Sequence, residues 1–432
     1  MKTYLDRRTL LKSALALGGA AAINAPGMSW AQGEAARLRC TWWGSPDRAR
    51  RTTDVGKLFT ERTGIEIAGE PVGADYWAKI GTQMAGRNIA DVFQLEPSSL
   101  ADYAGRGAAK PMDEFVGKQL DISSFGEKMV DLCRANGKIY GVALGLNSFS
   151  LFYDQTVFEK AGIKPPTHET TWKEFADMAV ELTKASGRPD YWGAPYGARY
   201  HYVFDVWLRQ RGKRLYTEDA KLGFTVDDAK EWFTYWEDLR KRNGCVPADV
   251  QTLDQNQIER NSLALGKSAM GLTYSNQLIG YQLLTKNKLG ITMVPSSGPG
   301  TKSGHYYRPA LIWSIGSTTK NPDKAAAFIS FFVNDVEAGK ILGVERGVPM
   351  SPKVREAILP SLNDVERATV DYVNLLADKV SDYPPPVPIG AVEFDNNVMR
   401  KVADQVAFGQ ISIADAAQRI LEDGNAVLRK VN

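Results

Sequence analysis

The sequence predicts an α/β protein of two domains behind an N-terminal leader. About 400 residues remain after the leader, more than one hydrophobic core usually organises. Between residues 38 and 98, β-favouring and helical segments alternate over short connections, an order typical of a parallel sheet. Hydrophobic residues make up 44% and charged residues 24% of the chain, as in ordinary globular proteins.

The leader, residues 1–31, has the features of a bacterial secretory signal. The adjacent Arg7 and Arg8 precede a small, apolar stretch at residues 13–23, and the end of the segment, at Ala31, is typical of a cleavage site. The apolar stretch is about half of the roughly 20 residues that a membrane span needs, so we expect the leader to be removed. The paired arginines predict export to the periplasm by the twin-arginine route.

The leader also accounts for the net charge. The chain has 53 Lys+Arg against 50 Asp+Glu, a net charge of +3. Four basic residues against one acidic residue give the leader the same net charge of +3. The mature chain is therefore formally neutral, and its charge gives no reason to expect binding to nucleic acid or to a membrane surface.

The first elements are predicted from local signals. A strand at residues 38–43 stops at Gly44, and a helix should run from there to about Thr63 and end at Gly64. Ser45 can cap this helix, and Pro46 suits its first position because a missing N–H costs nothing there. Strand 65–68, helix 76–86 and strand 91–95 follow.

The remaining elements are predicted from periodicity. An apolar strand at residues 149–153 is taken as the first crossing into a second domain, and residues 266–274 and 290–295 are further strands. A periodic helix should begin at Asn321-Pro322, and the C-terminal third should be mostly helical, including residues 411–428. Residues 383–388 interrupt it with an extended, proline-rich stretch.

Neither the cysteines nor the usual enzyme motifs indicate catalysis. Cys40, Cys133 and Cys245 lack metal-ligand spacing and are expected to be buried thiols. The histidines are isolated, no G-x-S-x-G occurs, and no metal or organic cofactor is indicated. Carboxylate pairs for glycoside hydrolysis need not be close in sequence, so a secreted glycoside hydrolase or lyase remains the alternative.

A series of short motifs spans nearly the whole mature chain. They are Thr41-Trp42-Trp43-Gly44, Phe59-Thr60-Glu61-Arg62-Thr63-Gly64-Ile65, Ala90-Asp91-Val92-Phe93, Gly137-Lys138-Ile139-Tyr140-Gly141-Val142, Phe152-Tyr153-Asp154, Thr171-Trp172-Lys173-Glu174-Phe175, Gly266-Lys267-Ser268-Ala269-Met270, Tyr307-Arg308-Pro309, Asn321-Pro322-Asp323-Lys324-Ala325-Ala326 and Glu345-Arg346-Gly347-Val348-Pro349. In this order and spacing, the chain resembles the extracellular solute-binding proteins of the sugar-binding group, the periplasmic receptors of ABC importers.

The resemblance implies a type II periplasmic-binding-protein fold of two discontinuous α/β lobes with a ligand cleft between them. By resemblance, crossings lie near Asn147, Pro295 and Asn334. One lobe would hold residues 32–147 and 295–335, and the other residues 148–294 and 336–432. The expected protein is a monomer that closes around a carbohydrate and delivers it to ABC permease subunits in the inner membrane.

A sugar offers hydroxyls that need directional partners and a C–H face that packs on an aromatic plane. Trp43 ends the first strand, where open α/β sheets place their ligand crevice, and its neighbour Trp42 should face the core. Ser45 and Arg48 would add polar contacts, and Glu96 ends the third strand in a comparable position. Core packing of both tryptophans, a solvated Arg48 and a helix-capping Glu96 are the alternatives.

The remaining candidates lie in aromatic segments and at the crossings. Residues 191–201 form the densest aromatic segment, which suits either a carbohydrate cleft or a packed loop. The candidates from these regions are Asn147, Trp192, Tyr196, Arg199, Tyr274, Ser275, Tyr306, Tyr307, Arg308 and Arg346.

Four of the candidates are arginines, Arg48, Arg199, Arg308 and Arg346. If two of them converge on the cleft, the ligand carries an anionic group such as a uronate carboxylate or a sulfonate, held by the guanidinium fork. A neutral oligosaccharide is the equal alternative, because arginine also donates hydrogen bonds to neutral sugars.

Overall fold

The structure is a computed structural model that describes residues 36–73, 75–254, 258–381, 383–385 and 387–429. The predicted leader lies outside the described residues. The strands are β1 (Arg37–Trp43), β2 (Glu66–Val72), β3 (Val92–Leu95), β4 (Arg134–Ala135), β5 (Lys138–Ile139), β6 (Val142–Ala143), β7 (Leu146–Asn147), β8 (Phe149–Asp154), β9 (Met270–Tyr274), β10 (Leu289–Thr292), β11 (Arg308–Pro309) and β12 (Ile312–Ile315).

Helices connect these strands and make up most of the C-terminal part. They are α1 (Pro46–Thr63), α2 (Tyr76–Ala85), α3 (Leu100–Gly105), α4 (Glu127–Asp131), α5 (Gln155–Ala161), α6 (Trp172–Ser186), α7 (His201–Gln210), α8 (Val226–Lys241), α9 (Ala248–Gln251), α10 (Leu278–Leu283), α11 (Pro322–Asn334), α12 (Val336–Leu342), α13 (Pro352–Ile358), α14 (Asp364–Leu375), α15 (Ala391–Glu393), α16 (Arg400–Ala407) and α17 (Ile413–Val427). A π-helical turn, Phe394–Met399, joins α15 to α16.

Local signals set the ends of α1 as predicted. The Ser45 side chain accepts a hydrogen bond from the Arg48 amide, and Pro46 occupies the first turn. Gly64 ends the helix at a φ of 73°, a left-handed conformation that favours glycine. At α11 the prediction is only partly confirmed, because the helix begins at Pro322 but the Asn321 side chain makes no capping hydrogen bond.

The first sheet has five strands in the order β2-β1-β3-β12-β6. Strand β1 runs parallel to β2 and β3, whereas β12 runs antiparallel to both β3 and β6. The carboxyl ends of β1, β3 and β6 therefore meet at one edge, together with the start of β12. This is the edge at which an open α/β sheet places its ligand crevice.

The second sheet has three antiparallel strands in the order β10-β8-β9. The register pairs Phe149, at the start of β8, with Tyr274, at the end of β9. Only Ser148 separates β7, which pairs with β11, from the start of β8. The first predicted crossing, near Asn147, therefore lies where the chain passes between the two sheets.

Two large hydrophobic clusters surround the sheets, and they change the predicted domain bounds. Buried apolar residues from Ala338 to Leu376, which the sequence assigned to the C-terminal lobe, pack into the cluster around the first sheet, although α14 also packs on β10 and α10. The second cluster takes up the chain again from Ala391. The packing therefore favours a crossing between Leu376 and Ala391, which includes the proline-rich stretch, over the one predicted near Asn334. The periodic pattern of a helix shows which face is apolar but not which core will bury it.

The three cysteines are buried and free, as predicted. Burial raises the pKa of each thiol, that of Cys133 to about 12. Across the described ranges, no helix combines the length and apolar character needed to cross a membrane. The same residues include no group of three or more side chains placed to hold a metal ion.

A buried histidine lies where the chain returns from the second sheet to the first. Val294 packs in the second cluster and Tyr307 in the first, with His305 between them. Its Nε2 accepts a hydrogen bond from the Val294 amide at 3.2 Å, and its Nδ1 donates to the Ser303 carbonyl at 3.0 Å. The Ser381 amide donates to the His305 carbonyl. Burial lowers the pKa of this imidazole from 6.5 to about 4.

This lowered pKa predicts an acid-sensitive contribution to stability. Between pH 6.5 and about 4 the unfolded chain binds the proton and the folded chain does not, so stability falls as the pH falls through this window. The loss at the lower end should be about 3 kcal/mol at most. Chemical denaturation across this range should show a shallower pH dependence for His305→Gln, whereas His168→Gln, at an exposed position, should retain the original slope. An unchanged slope in His305→Gln would contradict the assignment.

Candidate functional site

Two of the predicted site residues lie at the shared edge of the first sheet, and two more lie on the two-stranded sheet of β7 and β11, which continues from β6 and β12. Trp43 ends β1, and Glu96 follows β3 directly. Asn147 ends β7, where it pairs with Arg308 at the start of β11. The four residues come from separate parts of the sequence and are brought together by strand order.

Trp42 is only 1% exposed and packs in the core, as predicted, whereas Trp43 is half-buried and its contact with ligand stays a prediction. The Trp43 ring packs against Tyr76 and Trp77, with ring centroids 4.7 and 5.2 Å apart. Its carbonyl accepts hydrogen bonds from Gln94 Nε2 at 3.2 Å and Arg48 Nη1 at 3.3 Å. The Trp43 ring is therefore held by two aromatic neighbours at the start of α2, and its backbone by two side-chain donors.

Glu96 and Asn147 offer oxygens at the same edge. Glu96 is exposed and its side chain caps no helix, so the capping alternative is not supported. Asn147 is 7% exposed, and its Oδ1 accepts no hydrogen bond from the described residues. A buried amide oxygen of this kind costs free energy unless a partner satisfies it.

Arg308 connects this edge to the second sheet. Its guanidinium carbon lies 4.7 Å from the centroid of the Tyr274 ring and 5.7 Å from that of Phe149. Tyr274 is half-buried and packs against Tyr202, with centroids 4.8 Å apart. Cation–π contacts of this geometry hold a guanidinium in place, and its N–H groups can still donate hydrogen bonds in the plane of the guanidinium.

A polar cavity of about 680 Å³ lies in the C-terminal part of the chain, and the sequence did not predict most of its lining. It contains four amide side chains, four ionisable side chains and one aromatic side chain: Asn396, Asn397, Gln405, Gln410, Arg199, Arg400, Lys401, Asp404 and Phe408. The π-helical turn presents the two asparagines; such turns are frequent at functional sites, but the sequence gave no signal for this one.

A His–Asp–Arg cluster connects the cavity to Tyr274. His201 Nδ1 lies 2.6 Å from Asp395 Oδ1, and Arg400 Nε lies 3.2 Å from Asp395 Oδ2. Burial opposes ionisation of Asp395, but the hydrogen bond from His201 and the charge of Arg400 outweigh it and lower the pKa of the carboxyl. The His201 ring packs edge-to-face on Tyr202 with centroids 5.4 Å apart, and Tyr202 in turn packs against Tyr274, so this tyrosine links the cluster to that ring.

Three predicted ligand contacts are corrected by burial. Tyr196 is fully buried, and its hydroxyl donates to Glu237 at 2.9 Å. Ser275 is fully buried, and its Oγ accepts from the Ser148 amide. The Tyr307 hydroxyl donates to the Val373 carbonyl inside the first core. These side chains already have protein partners and hold elements together.

Trp192 and Tyr306 also have protein partners. Trp192 Nε1 donates to Asn243 Oδ1, and its backbone pairs beside the start of β9, the strand that Tyr274 ends. Tyr306 is 7% exposed and packs edge-to-face on Phe149, with centroids 5.2 Å apart. The aromatic density that suggested a sugar platform at Trp192 belongs mainly to the second core.

The four arginines do not converge. Arg48 Nε pairs with Glu345 Oε1 at 2.7 Å, and Arg346 is 4% exposed with its Nη1 3.6 Å from Glu345 Oε2. Arg199 lines the polar cavity but donates to the carbonyls of Gln251 and Asp254. Arg308 alone of the four lies against the half-buried Tyr274 ring, so convergence of two arginines on one anionic group does not follow from this structure.

Comparison with known proteins agrees with this architecture. The sequence profile of bacterial extracellular solute-binding proteins matches residues 55–367. An arabinooligosaccharide-binding protein of Bacillus subtilis is 21% identical over 263 residues, which cover 60% of this chain and 59% of that protein.

Two solved structures share the fold over most of both chains. An extracellular solute-binding protein family 1 member from Alicyclobacillus acidocaldarius is 28% identical with a TM-score of 0.79, covering 90% of this chain and 98% of that one. A periplasmic oligogalacturonide-binding protein from Yersinia enterocolitica, solved with saturated digalacturonic acid, is 22% identical with a TM-score of 0.73, covering 91% and 98%. With its two-lobed fold and a family match over most of its length, the chain belongs to the bacterial extracellular solute-binding proteins.

Proposed function

We propose that this protein captures a sugar or sugar derivative in the periplasm by hinge closure and delivers it to the permease of an ABC importer. Membership of the solute-binding family supports the transport role, and a relative named for arabinooligosaccharide binding supports a carbohydrate ligand. The observation that carries the proposal is that strands of both sheets end in a half-buried aromatic ring beside a polar side chain, Trp43 near Glu96 in the first sheet and Tyr274 against Arg308 in the second.

The proposed contacts follow from the chemistry of a pyranose ring. Its C–H face would pack on the half-buried rings of Trp43 and Tyr274, which are held by neighbouring aromatics and lose little entropy on binding. Its hydroxyls would donate to Glu96 and to the Asn147 Oδ1 and accept from Arg308. The amides of Asn396 and Asn397 would extend this surface beyond Tyr274.

The charge of the cavity bears on the class of sugar. Arg199, Arg400 and Lys401 line it; Arg199 Nε lies 3.4 Å from Asp404 and Arg400 pairs with Asp395, which leaves an excess of one cationic group, Lys401, in this cluster. Burial raises the pKa of Asp404 above its ordinary value, although the charges of Arg199 and Arg400 oppose this shift. An acidic oligosaccharide would gain from this excess, and the Yersinia neighbour solved with digalacturonic acid supports such a ligand. We therefore propose uronate-containing oligosaccharides ahead of neutral ones.

The same arrangement favours binding over catalysis. A retaining glycosidase needs two carboxyl groups about 5 Å apart, and an inverting one about 6.5–9.5 Å apart. The ionised carboxylate of Asp395 is engaged by His201 and Arg400, so it is poorly placed to act as a general acid. We propose a monomeric, non-enzymatic receptor exported by the twin-arginine route, in which ligand contacts to both lobes favour the closed form.

Calorimetric titration tests the ligand class. Oligogalacturonides should bind more tightly than arabino-oligosaccharides of the same length, and raising the salt concentration should weaken the acidic ligand more because its contacts are screened. Protein incubated with either sugar should leave it chemically unchanged by chromatography. Equal affinity for the two sugars would contradict the proposed preference for anionic ligands. A product that accumulates with time would show that the protein is an enzyme and not a receptor.

Aromatic truncations test the proposed cleft. Trp43→Ala and Tyr274→Ala should each weaken sugar binding by about fivefold to tenfold, because a stacked face contributes on the order of 1 kcal/mol. Tyr196→Phe is the matched control, since it removes a buried hydroxyl bonded to Glu237; it should lower the midpoint of thermal unfolding and leave the affinity unchanged. Unchanged affinity in both alanine variants would place the site elsewhere.

A further inference from the structure

Arg346 is buried beneath the edge of the first sheet. It is 4% exposed, and its guanidinium carbon lies 5.6 Å from the Trp313 ring centroid and 5.5 Å from that of Phe332. Burial lowers the pKa of the guanidinium to about 9. A cation in such surroundings is costly unless its partners compensate for lost hydration.

Its contacts close a ring of side chains below the cleft edge. Arg346 Nη2 donates to Gln94 Oε1 at 3.2 Å, and Gln94 Nε2 donates to the Trp43 carbonyl at 3.2 Å. Arg48 Nη1 donates to the same carbonyl, and its Nε donates to Glu345 Oε1 at 2.7 Å. Glu345 Oε2 lies 3.6 Å from Arg346 Nη1 and completes the ring.

The backbone beside Arg346 is joined to the first crossing. Leu146 and Val348 exchange two backbone hydrogen bonds, at 2.8 and 3.0 Å. Gly145 packs so closely that a Cβ atom there would lie 2.3 Å from the Arg346 carbonyl oxygen. The ring therefore connects the end of β1, the start of α1 and the segment that leads to Asn147.

Stability alone is a poor explanation for this arrangement. Arg346 Nε and Nη1 have no hydrogen-bond acceptor among the described residues, and the guanidinium lies against two aromatic rings, Trp313 and Phe332, that also pack on each other. Replacing a buried ion pair by hydrophobic residues of similar size is often neutral or stabilising. Its contacts with Gln94 and Glu345 instead hold the two donors to the Trp43 carbonyl, Gln94 and Arg48, and so fix the backbone from which the indole extends.

We propose that Arg346 is a positioning residue for the ligand cleft. Through Gln94, Glu345 and Arg48 it sets the orientation of Trp43 and joins this edge of the cleft to the chain crossing at Leu146. The inference rests on the proposed function for its effect on ligand affinity, but the effect on Trp43 itself is independent of any ligand.

The test uses Arg346→Met, Arg346→Lys and Glu345→Gln in the full mature chain. The probe is the indole N–H resonance of Trp43 in nitrogen-15 spectra, assigned by its disappearance in Trp43→Phe. Arg346→Met and Glu345→Gln should shift this resonance and weaken binding of the tightest-binding oligogalacturonide by about tenfold. Arg346→Lys keeps the charge but not the planar fork, so it should give an intermediate result.

Glu237→Gln is the matched control. Glu237 pairs with Arg240 at 2.5 Å and is as buried as Arg346, but it lies in the second core. It should lower the midpoint of thermal unfolding without moving the Trp43 resonance or the affinity. If Arg346→Met does not fold, the Trp43 resonance of the isosteric variant Glu345→Gln decides whether the inference holds. An unmoved Trp43 resonance in a folded variant would overturn the inference. If the wild-type protein binds no oligogalacturonide, the proposed ligand fails while the resonance still decides the positioning role.

Discussion

Two hydrophobic cores in this protein are connected by short segments whose backbone polar groups must be satisfied where the segments meet. The Ser148 hydroxyl donates to the Tyr306 carbonyl, and Ser381 donates to the carbonyl of His305, so all three crossings share hydrogen bonds. Asn147 pairs with Arg308 in the same region. Without these bonds the cores would lack a defined connection, and the sheet edges that present Trp43 and Tyr274 would lose their common position.

The elements that the sequence predicted well are those set by neighbours in the chain. The strand–glycine–serine–proline order before α1 and Gly64 after it are local signals, and the structure follows them. The bounds of the lobes depend instead on which core a helix covers. Nothing in the sequence of α12 and α13 shows which core they cover, and only their packing shows that they belong with the first sheet.

In the candidate site, too, local sequence patterns were predictive, whereas contacts between distant residues were missed. Strand alternation separated Trp42 from Trp43 correctly, because side chains on a strand alternate between faces. For Tyr196 and Arg346, residue type suggested a ligand contact, but each side chain has a protein partner. Glu237, the partner of Tyr196, is distant in the sequence, and Glu345, the neighbour of Arg346, gave no signal that the two side chains interact. Asn396 and Asn397 went unnoticed because an amide in a helical segment carries no pattern until the fold places it beside a cavity.

The buried cysteine thiols can be used to follow the unfolding of the two hydrophobic cores. Cys40 and Cys133 are in the first core and Cys245 is in the second. Because each sulfur is shielded and its thiolate disfavoured, reaction with an added alkylating agent requires that its own core come apart. The rate at which each cysteine is alkylated, measured by mass spectrometry, therefore reports separately on the unfolding of each core, and no introduced label is needed.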